Sequence, residues 1–234
     1  MNKKNQYRLL LLVLVVIVII NVSILLTADY SNNVYDVTVV GENANGTVYK
    51  IIAGDESSND TVGVILGVHP REHEIHEAVN RTIYNITSEG GSQNLTKRYV
   101  IYYVQVKDEL TSREDTRFAG EELSEKFIVP NMEKDNPFIV VDVHEIDPIY
   151  EYSNFLFSLS NRTTKINGYI DEIASGVGIV DFNFTEGTSP EKVTMPIADK
   201  GIPTILVETS ITDSLSEKQD TANKLISTLD KISP

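Results

Sequence analysis

The sequence predicts an α/β fold, three layers (α/β/α) around a central mixed, mostly parallel sheet, preceded by an N-terminal transmembrane helix. Three observations carry this expectation. Residues 62–68 (VGVILGV), 138–143 (FIVVDV) and 203–207 (PTILV) are short and almost wholly apolar, the mark of strands covered on both faces. Helical stretches alternate with such runs, which places helices on both sides of one sheet. A polar residue, His69, His144 or Glu208, stands just after each run, at the C-terminal strand ends where open α/β sheets keep their binding crevice.

Residues 9–26 (LLLLVLVVIVIINVSILL) are an apolar run of 18 interrupted only by Asn21 and Ser23. That length nearly spans a bilayer core. Lys3, Lys4 and Arg8 precede it, so residues 1–28 read as a cytoplasmic basic tip and anchor, with residues 29–234 on the extracytoplasmic side of the cell membrane. Bulky Leu26, two residues before Ala28, makes a poor cleavage site, so the anchor is expected to stay attached. N-x-[ST] triplets at Asn45, Asn59, Asn80, Asn85, Asn94, Asn161 and Asn183 agree with an external, glycosylated body.

Residues 34–40 alternate as a half-buried strand, with 47–53 as its hairpin partner. The run at 62–68 leads through His69-Pro70-Arg71-Glu72 into a helix reaching about Ser88, ended by Gly90-Gly91-Ser92. A strand at 99–106 follows, then an irregular polar stretch at 108–136. The strand at 138–143 ends at His144. Residues 164–175 read as helix, 177–198 as loop, 203–207 as strand, and 216–229 as an amphipathic C-terminal helix.

The net charge is −14, and leaving out the three positive charges of the N-terminal tip makes the body −17. No basic stripe exists to release phosphate counterions, so nucleic acid is excluded as a partner. The chain has no cysteine. Disulfides, thiolate nucleophiles and Cys-based metal sites fall away, and any metal must be held by histidine and carboxylate.

His69 and Glu72, three apart across a strand end and a first helical turn, can point to one spot. His144 closes a His₂Glu set, the ligand set of a hydrolytic zinc site with an open position for water. Glu208, from a further strand end, is the candidate general base. Arg117 or Arg113, in TSREDTRF, supplies positive charge where a carbonyl oxygen becomes an oxyanion.

GVHPREHE resembles the G-x-H-x-R-E segment of the zinc carboxypeptidase family and its aspartoacylase and succinylglutamate-desuccinylase relatives. VVDVHE resembles the family strand that supplies the third ligand, and PTILVETS the strand ending in the catalytic Glu. TRFAGEELSEKF resembles the acylase segment in which an Arg is followed seven residues on by Asn-Arg. The resemblance implies Zn²⁺ on His69, Glu72 and His144, with Glu208 as base. Arg117 matches the oxyanion-stabilising Arg, and Glu122 an acidic residue behind the ligands. Ser124 and Glu125 stand where the family's Asn-Arg grips a substrate carboxylate, which implies that substrates place an amine or neutral group near Glu125. Arg113 reads as a surface or substrate contact.

His73 and His76 read as solvated or supporting. Asp142 alternates away from His144 only if the strand is regular, and reads either as a support behind the ligands or as a core-edge carboxylate. The family's proton-donating Tyr has no counterpart between Tyr169 and Glu208. The expected partners are a peptide or acyl-amino-acid substrate, with cell-wall peptide as one source, and the membrane through the anchor. A catalytically silent surface domain that binds peptide or wall polymer is the alternative.

Overall fold

The computed structural model describes residues 33–88, 94–184 and 190–234. The predicted anchor and the Gly90-Gly91-Ser92 helix stop lie outside the described residues. Among the described residues, no helix is long and apolar enough to cross a membrane.

The described residues open with the expected hairpin, β1 (Asn33–Asn43) and β2 (Gly46–Asp55), which is antiparallel. β3 (Thr61–Leu66) is buried at every position, as its continuous apolar run requires. After one tight turn at Pro70–Glu72, α1 (His73–Thr87) packs back on the sheet and leads to β4 (Arg98–Val106). β5 (Ile139–Ile146) and β8 (Thr204–Ser210) are the other two buried parallel strands. Between them come β6 (Phe155–Ser158), α4 (Thr164–Val177) and the two-residue β7 (Val180–Asp181). The chain closes on α6 (Leu215–Leu229), whose Ser214 and Glu217 form a reciprocal capping box.

The stretch at 108–136, expected to be irregular, is helical. α2 (Arg113–Leu123) passes through a wide turn at Ser124–Ile128 into α3 (Val129–Asp135). Ser112 starts α2 by accepting a bond from the Asp115 amide at 3.0 Å. α2 buries Thr116, Ala119, Gly120, Glu121 and Leu123, so a face of small and polar residues hides the apolar stripe that would announce a helix. A further short helix, α5 (Met195–Ala198), falls in the segment read as loop. β6 is too short for its pattern to stand out, and it pairs antiparallel with β8.

The strand order is β1-β2-β4-β3-β5-β8-β6-β7. The β3–β4, β3–β5 and β5–β8 pairs at the centre are parallel, flanked by antiparallel pairs on both sides. Two hydrophobic cores, one per face, make the predicted three layers. Val64, Ile83, Val141, Ile170 and Ile226 belong to one, and Ile65, Val140, Leu123, Met132 and Ile197 to the other. From β3 the chain continues to β4 on one side, while β5 lies on the other. This reversal opens a crevice at the C-terminal ends of β3 and β5.

Candidate metal centre

Gly67 bends the chain out of β3 with φ +80°, and a Cβ there would collide with the Val104 carbonyl, so the bend needs glycine. His69 then precedes the tight turn, with the Glu72 amide bonded to the His69 carbonyl at 3.0 Å. Residues three apart eclipse each other in such a turn, which brings these two side chains together. β5 delivers His144 into the same space, and the sheet register sets Glu208 of β8 directly beside it. Both residues lie within their strands, not after them.

The three candidate ligands converge. His69 Nδ1 is 2.8 Å from Glu72 Oε1, His144 Nδ1 is 2.9 Å from Glu72 Oε2, and the two Nδ1 atoms are 3.2 Å apart. Two nitrogens on one tetrahedral zinc ion at 2.0–2.1 Å stand about 3.3 Å apart. Among the described residues, this trio is the one group of three or more candidate ligands that can hold an ion.

The outer nitrogens face acids. His144 Nε2 lies 3.0 Å from Asp142 Oδ1, and Asp142 Oδ2 accepts a bond from Thr194 Oγ1 at 3.1 Å. The expectation that Asp142 alternates away from His144 is corrected, because strand residues two apart share a face. His69 Nε2 lies 3.3 Å from Glu121 Oε1, and Glu121 also pairs with Lys192 at 3.1 Å. Glu121 thus occupies the place assigned to Glu122, whose carboxylate instead accepts a bond from Asn45 Nδ2 at 2.9 Å. Acids behind ligating histidines fix the ring orientation and tautomer. The Glu145 amide donates to Glu72 Oε2 at 3.2 Å, and its buried carboxylate pairs with buried Lys218 at 2.9 Å.

Burial would raise the Glu72 pKa, but hydrogen bonds from His144 and His69 outweigh it and hold the carboxyl well below the usual range. Burial would lower the His144 pKa, and Asp142 and Glu72 together push it well above the ordinary value. Glu208 behaves oppositely. Burial, reinforced by Glu72 and Asp142 and offset in part by His144 and Arg117, moves it up to about 8. Its buried Oε2 has no hydrogen-bond partner. Such an orphaned acid beside converging candidate ligands makes Glu208 a candidate catalytic group.

Arg117 Nη1 lies 4.0 Å from Glu72 and its Nε 3.7 Å from Glu121. Its helix reaches the His69 loop because Gly120 packs directly against the Val68 carbonyl, where a Cβ would collide. A cavity of about 110 Å³ joins His69, Glu72, His144, Glu208, Arg113 and Arg117. Its far wall is apolar, formed by Ile146, Phe157, Phe184 and Leu206 beside Tyr150. Short-range spacing gives no hint of this wall, since its residues come from four separate segments.

Ser124 and Glu125 are not brought to the site. The buried Ser124 hydroxyl donates back to the Gly120 carbonyl at 2.7 Å, Glu125 is exposed, and neither lines the cavity. The proposed amine contact at Glu125 is therefore corrected. His73 is solvated, while His76 is fully buried, donates Nε2 to the Val143 carbonyl at 2.8 Å, and is held neutral by burial.

No protein-family model matches the sequence, and no curated protein does. Solved structures do match. A metallo-carboxypeptidase from Burkholderia cenocepacia superposes with a TM-score of 0.61 at 11% identity, covering 84% of this chain and 64% of that one. A metallo-carboxypeptidase from Pseudomonas aeruginosa, in complex with (2-guanidinoethylmercapto)succinic acid, gives 0.55 at 12% identity over 82% of this chain and 62% of that one. A tripeptide-bound cell shape determinant protein from Helicobacter pylori gives 0.51 at 11% identity over 78% and 54%. The chain therefore has the metallo-carboxypeptidase fold, and spans under two thirds of the length of these three structures. Its described residues carry a candidate His-Glu-His metal centre in the crevice of that fold.

Proposed function

We propose that this protein is a zinc-dependent hydrolase of amide or peptide bonds. The convergence of His69, Glu72 and His144 on one point beside the unpartnered carboxylate of Glu208 carries the reading. The donor set suits zinc, with two imidazole nitrogens and a carboxylate, and room in the cavity for a further ligand. Zinc held there supplies Lewis-acid polarisation of a carbonyl and lowers the pKa of nearby water.

The remaining steps belong to the chain. Glu208 takes a proton from the attacking water as the new C–O bond forms. It returns that proton to the amine nitrogen as the C–N bond breaks. A carboxylate kept short of hydrogen bonds by burial has a high proton affinity, which suits both transfers. Arg117 faces the mouth of the site and balances the charge that builds on the carbonyl oxygen. Glu121 and Asp142 hold the two imidazoles in register.

We place this domain outside the cell membrane, tethered by residues 9–26, where peptides and acyl-amino acids, those of the cell wall included, are within reach. The silent-domain alternative rests on Ser124 and Glu125 and on the missing tyrosine; the gathering of His69, Glu72, His144 and Glu208 in one cavity speaks against it, since a silent domain has no need of all four.

Metal analysis of the full chain beside a His69→Ala/His144→Ala variant tests the site. One zinc per chain, lost in the variant, is expected. Hydrolysis of a peptide and acyl-amino-acid panel, abolished by Glu208→Gln with zinc retained, is expected next. Folded protein that takes up no zinc overturns the reading.

A further inference from the structure

The two ends of the sheet are finished differently. β7 closes one end with 2 residues, and its Asp181 is held by both outer nitrogens of Arg162, at 2.6 and 2.7 Å. A short, charged edge of that kind discourages pairing with another chain. β1 closes the other end with 11 residues, and among the described residues it pairs with β2 alone. Residues 34–40 (VYDVTVV) carry a single charge, that of Asp36.

β1 is covered toward its two ends and open between them. Tyr35 meets Tyr84 of α1 edge to face and donates to Asn80 Oδ1 at 2.7 Å. Gly41 lies against the Phe127 ring, and the pairing with β2 shifts register between Val39 and Gly41. Residues 36–39 are exposed, Val37 at 53% and Val39 at 57%. A long apolar edge left open in this way is a template for one more strand.

The residues of the edge select that strand. When a second copy is laid antiparallel about a two-fold axis, opposed residues share a face, so the axis must pass through one residue. With the axis at Val37, Val34 opposes Val40, Tyr35 opposes Val39, Asp36 opposes Thr38, and Val37 opposes its own counterpart. One face is then a ladder of valine and tyrosine, and on the other each Asp36 carboxylate meets a hydroxyl. An axis at Asp36 would set acid against acid. An axis at Thr38 would set Asp36 against Val40 and carry Tyr35 into the irregularity at Gly41. The sequence before β1 favours the same occupant. The apolar run read as the anchor ends at Leu26, and residues 27–32 reach at most about 20 Å. Copies held in one membrane on so short a tether have a raised effective concentration, which works against the mutual repulsion of chains of net charge −14.

We propose that β1 is a dimerisation edge, pairing antiparallel with β1 of a second copy about a two-fold axis at Val37. The two sheets then join edge to edge. The pairing draws on the anchor reading for the concentration of copies and is independent of the metal centre.

The chain has no cysteine, so single substitutions report the pairing without background. Full chains carrying Val37→Cys, Asp36→Cys, Thr38→Cys or Lys224→Cys, the last on exposed α6, are oxidised in membranes with copper phenanthroline and read on a non-reducing gel. Opposed Cα atoms about 5 Å apart suit a disulfide, whereas an offset of two residues widens the gap to about 8 Å, beyond its reach. Val37→Cys is expected to cross-link at least about tenfold faster than the other three alone. Asp36→Cys and Thr38→Cys chains, coexpressed with tags of different size, are expected to form the mixed dimer. Val39→Lys added to the Val37→Cys chain, with the circular dichroism unchanged, removes the cross-link, because an edge lysine blocks strand pairing. Equal rates at Val37→Cys and Lys224→Cys, equal rates at all three β1 positions, or a cross-link that survives Val39→Lys overturn the proposal. The expected pattern in a chain that a carbonate wash releases from membranes upholds the pairing and overturns the anchor instead.

Discussion

The buried carboxylate of Glu208, the proposed base, comes at the expense of stability. With a folded pKa near 8 and an ordinary value of 4.5, the folded chain binds the extra proton between those limits. Folding is therefore favoured at low pH, and this contribution is lost as pH rises from about 4.5 to 8. Glu208→Gln removes the group that titrates. In chelator-treated protein the variant should match the wild type near pH 4.5 and exceed it by up to roughly 4 kcal/mol at pH 8, read from urea midpoints across pH. A difference that stays constant with pH would refute the assignment. Asp142→Asn probes the other direction. The variant keeps an acceptor for Thr194 but removes the charge behind His144, and should lower zinc affinity about 10–100-fold in a chelator competition. At this scale the centre is legible in the sequence wherever its residues sit in short local motifs. His69 and Glu72 share one turn, and His144 and Glu208 sit near the ends of apolar runs. Glu121 and the aromatic wall are not legible, because distant segments meet there with no spacing to announce them. Asp142 lies two residues before His144, so strand periodicity alone puts both on one face, and of its two readings the support behind the ligand is the one the structure bears out.

At the scale of elements, the site depends on close approaches that small residues permit and on one buried ion pair that ties helices together. Gly120→Ala would drive α2 away from the Val68 carbonyl. We expect a loss of about 1–3 kcal/mol in unfolding free energy, as for overpacking elsewhere, together with weaker zinc binding as Glu121 withdraws from His69. Unaltered urea midpoint and zinc affinity would show that the helix shifts freely. Lys218 of α6 is the second fastening. Its buried ammonium meets Glu145 of β5 at 2.9 Å and the Ile211 carbonyl at 3.1 Å, and it also pairs with Glu74 of α1. Lys218→Met would strand the buried Glu145 carboxylate, at a cost of about 3–5 kcal/mol. Lys218→Met/Glu145→Gln should recover part of that loss, and equal stability of the single and double variants would argue against the pairing. The same dependence on polar and small residues explains which elements can be read from sequence. β3, β5 and β8 declare themselves because both faces are apolar. α2 and α3 do not, since α2 buries glycine, alanine, threonine and glutamate, and the wide turn at Ser124–Ile128 interrupts any single helical period.

For the whole molecule, charge and apolar surface divide the chain into two parts with opposite preferences. The described body closes its apolar strands between two helical layers, and none of its helices can span a bilayer. Its sequence from residue 29 on carries −17, a charge that anionic lipid headgroups repel. We propose that the hold on a membrane comes from residues 9–26, whose apolar run follows three positive charges. The full chain should stay with membranes through an alkaline carbonate wash. A chain beginning at Asn33 should remain in the aqueous phase and bind the same single zinc. An epitope placed after Pro234 should be open to added protease in intact cells, since the basic end is expected to stay inside. Release of the full chain by carbonate would remove the anchor. Protection of the epitope would reverse the orientation and, with it, the case for extracellular peptides as substrates. Neither result would disturb the metal centre, because every ligand and every acid behind it lies between His69 and Glu208, within the body alone.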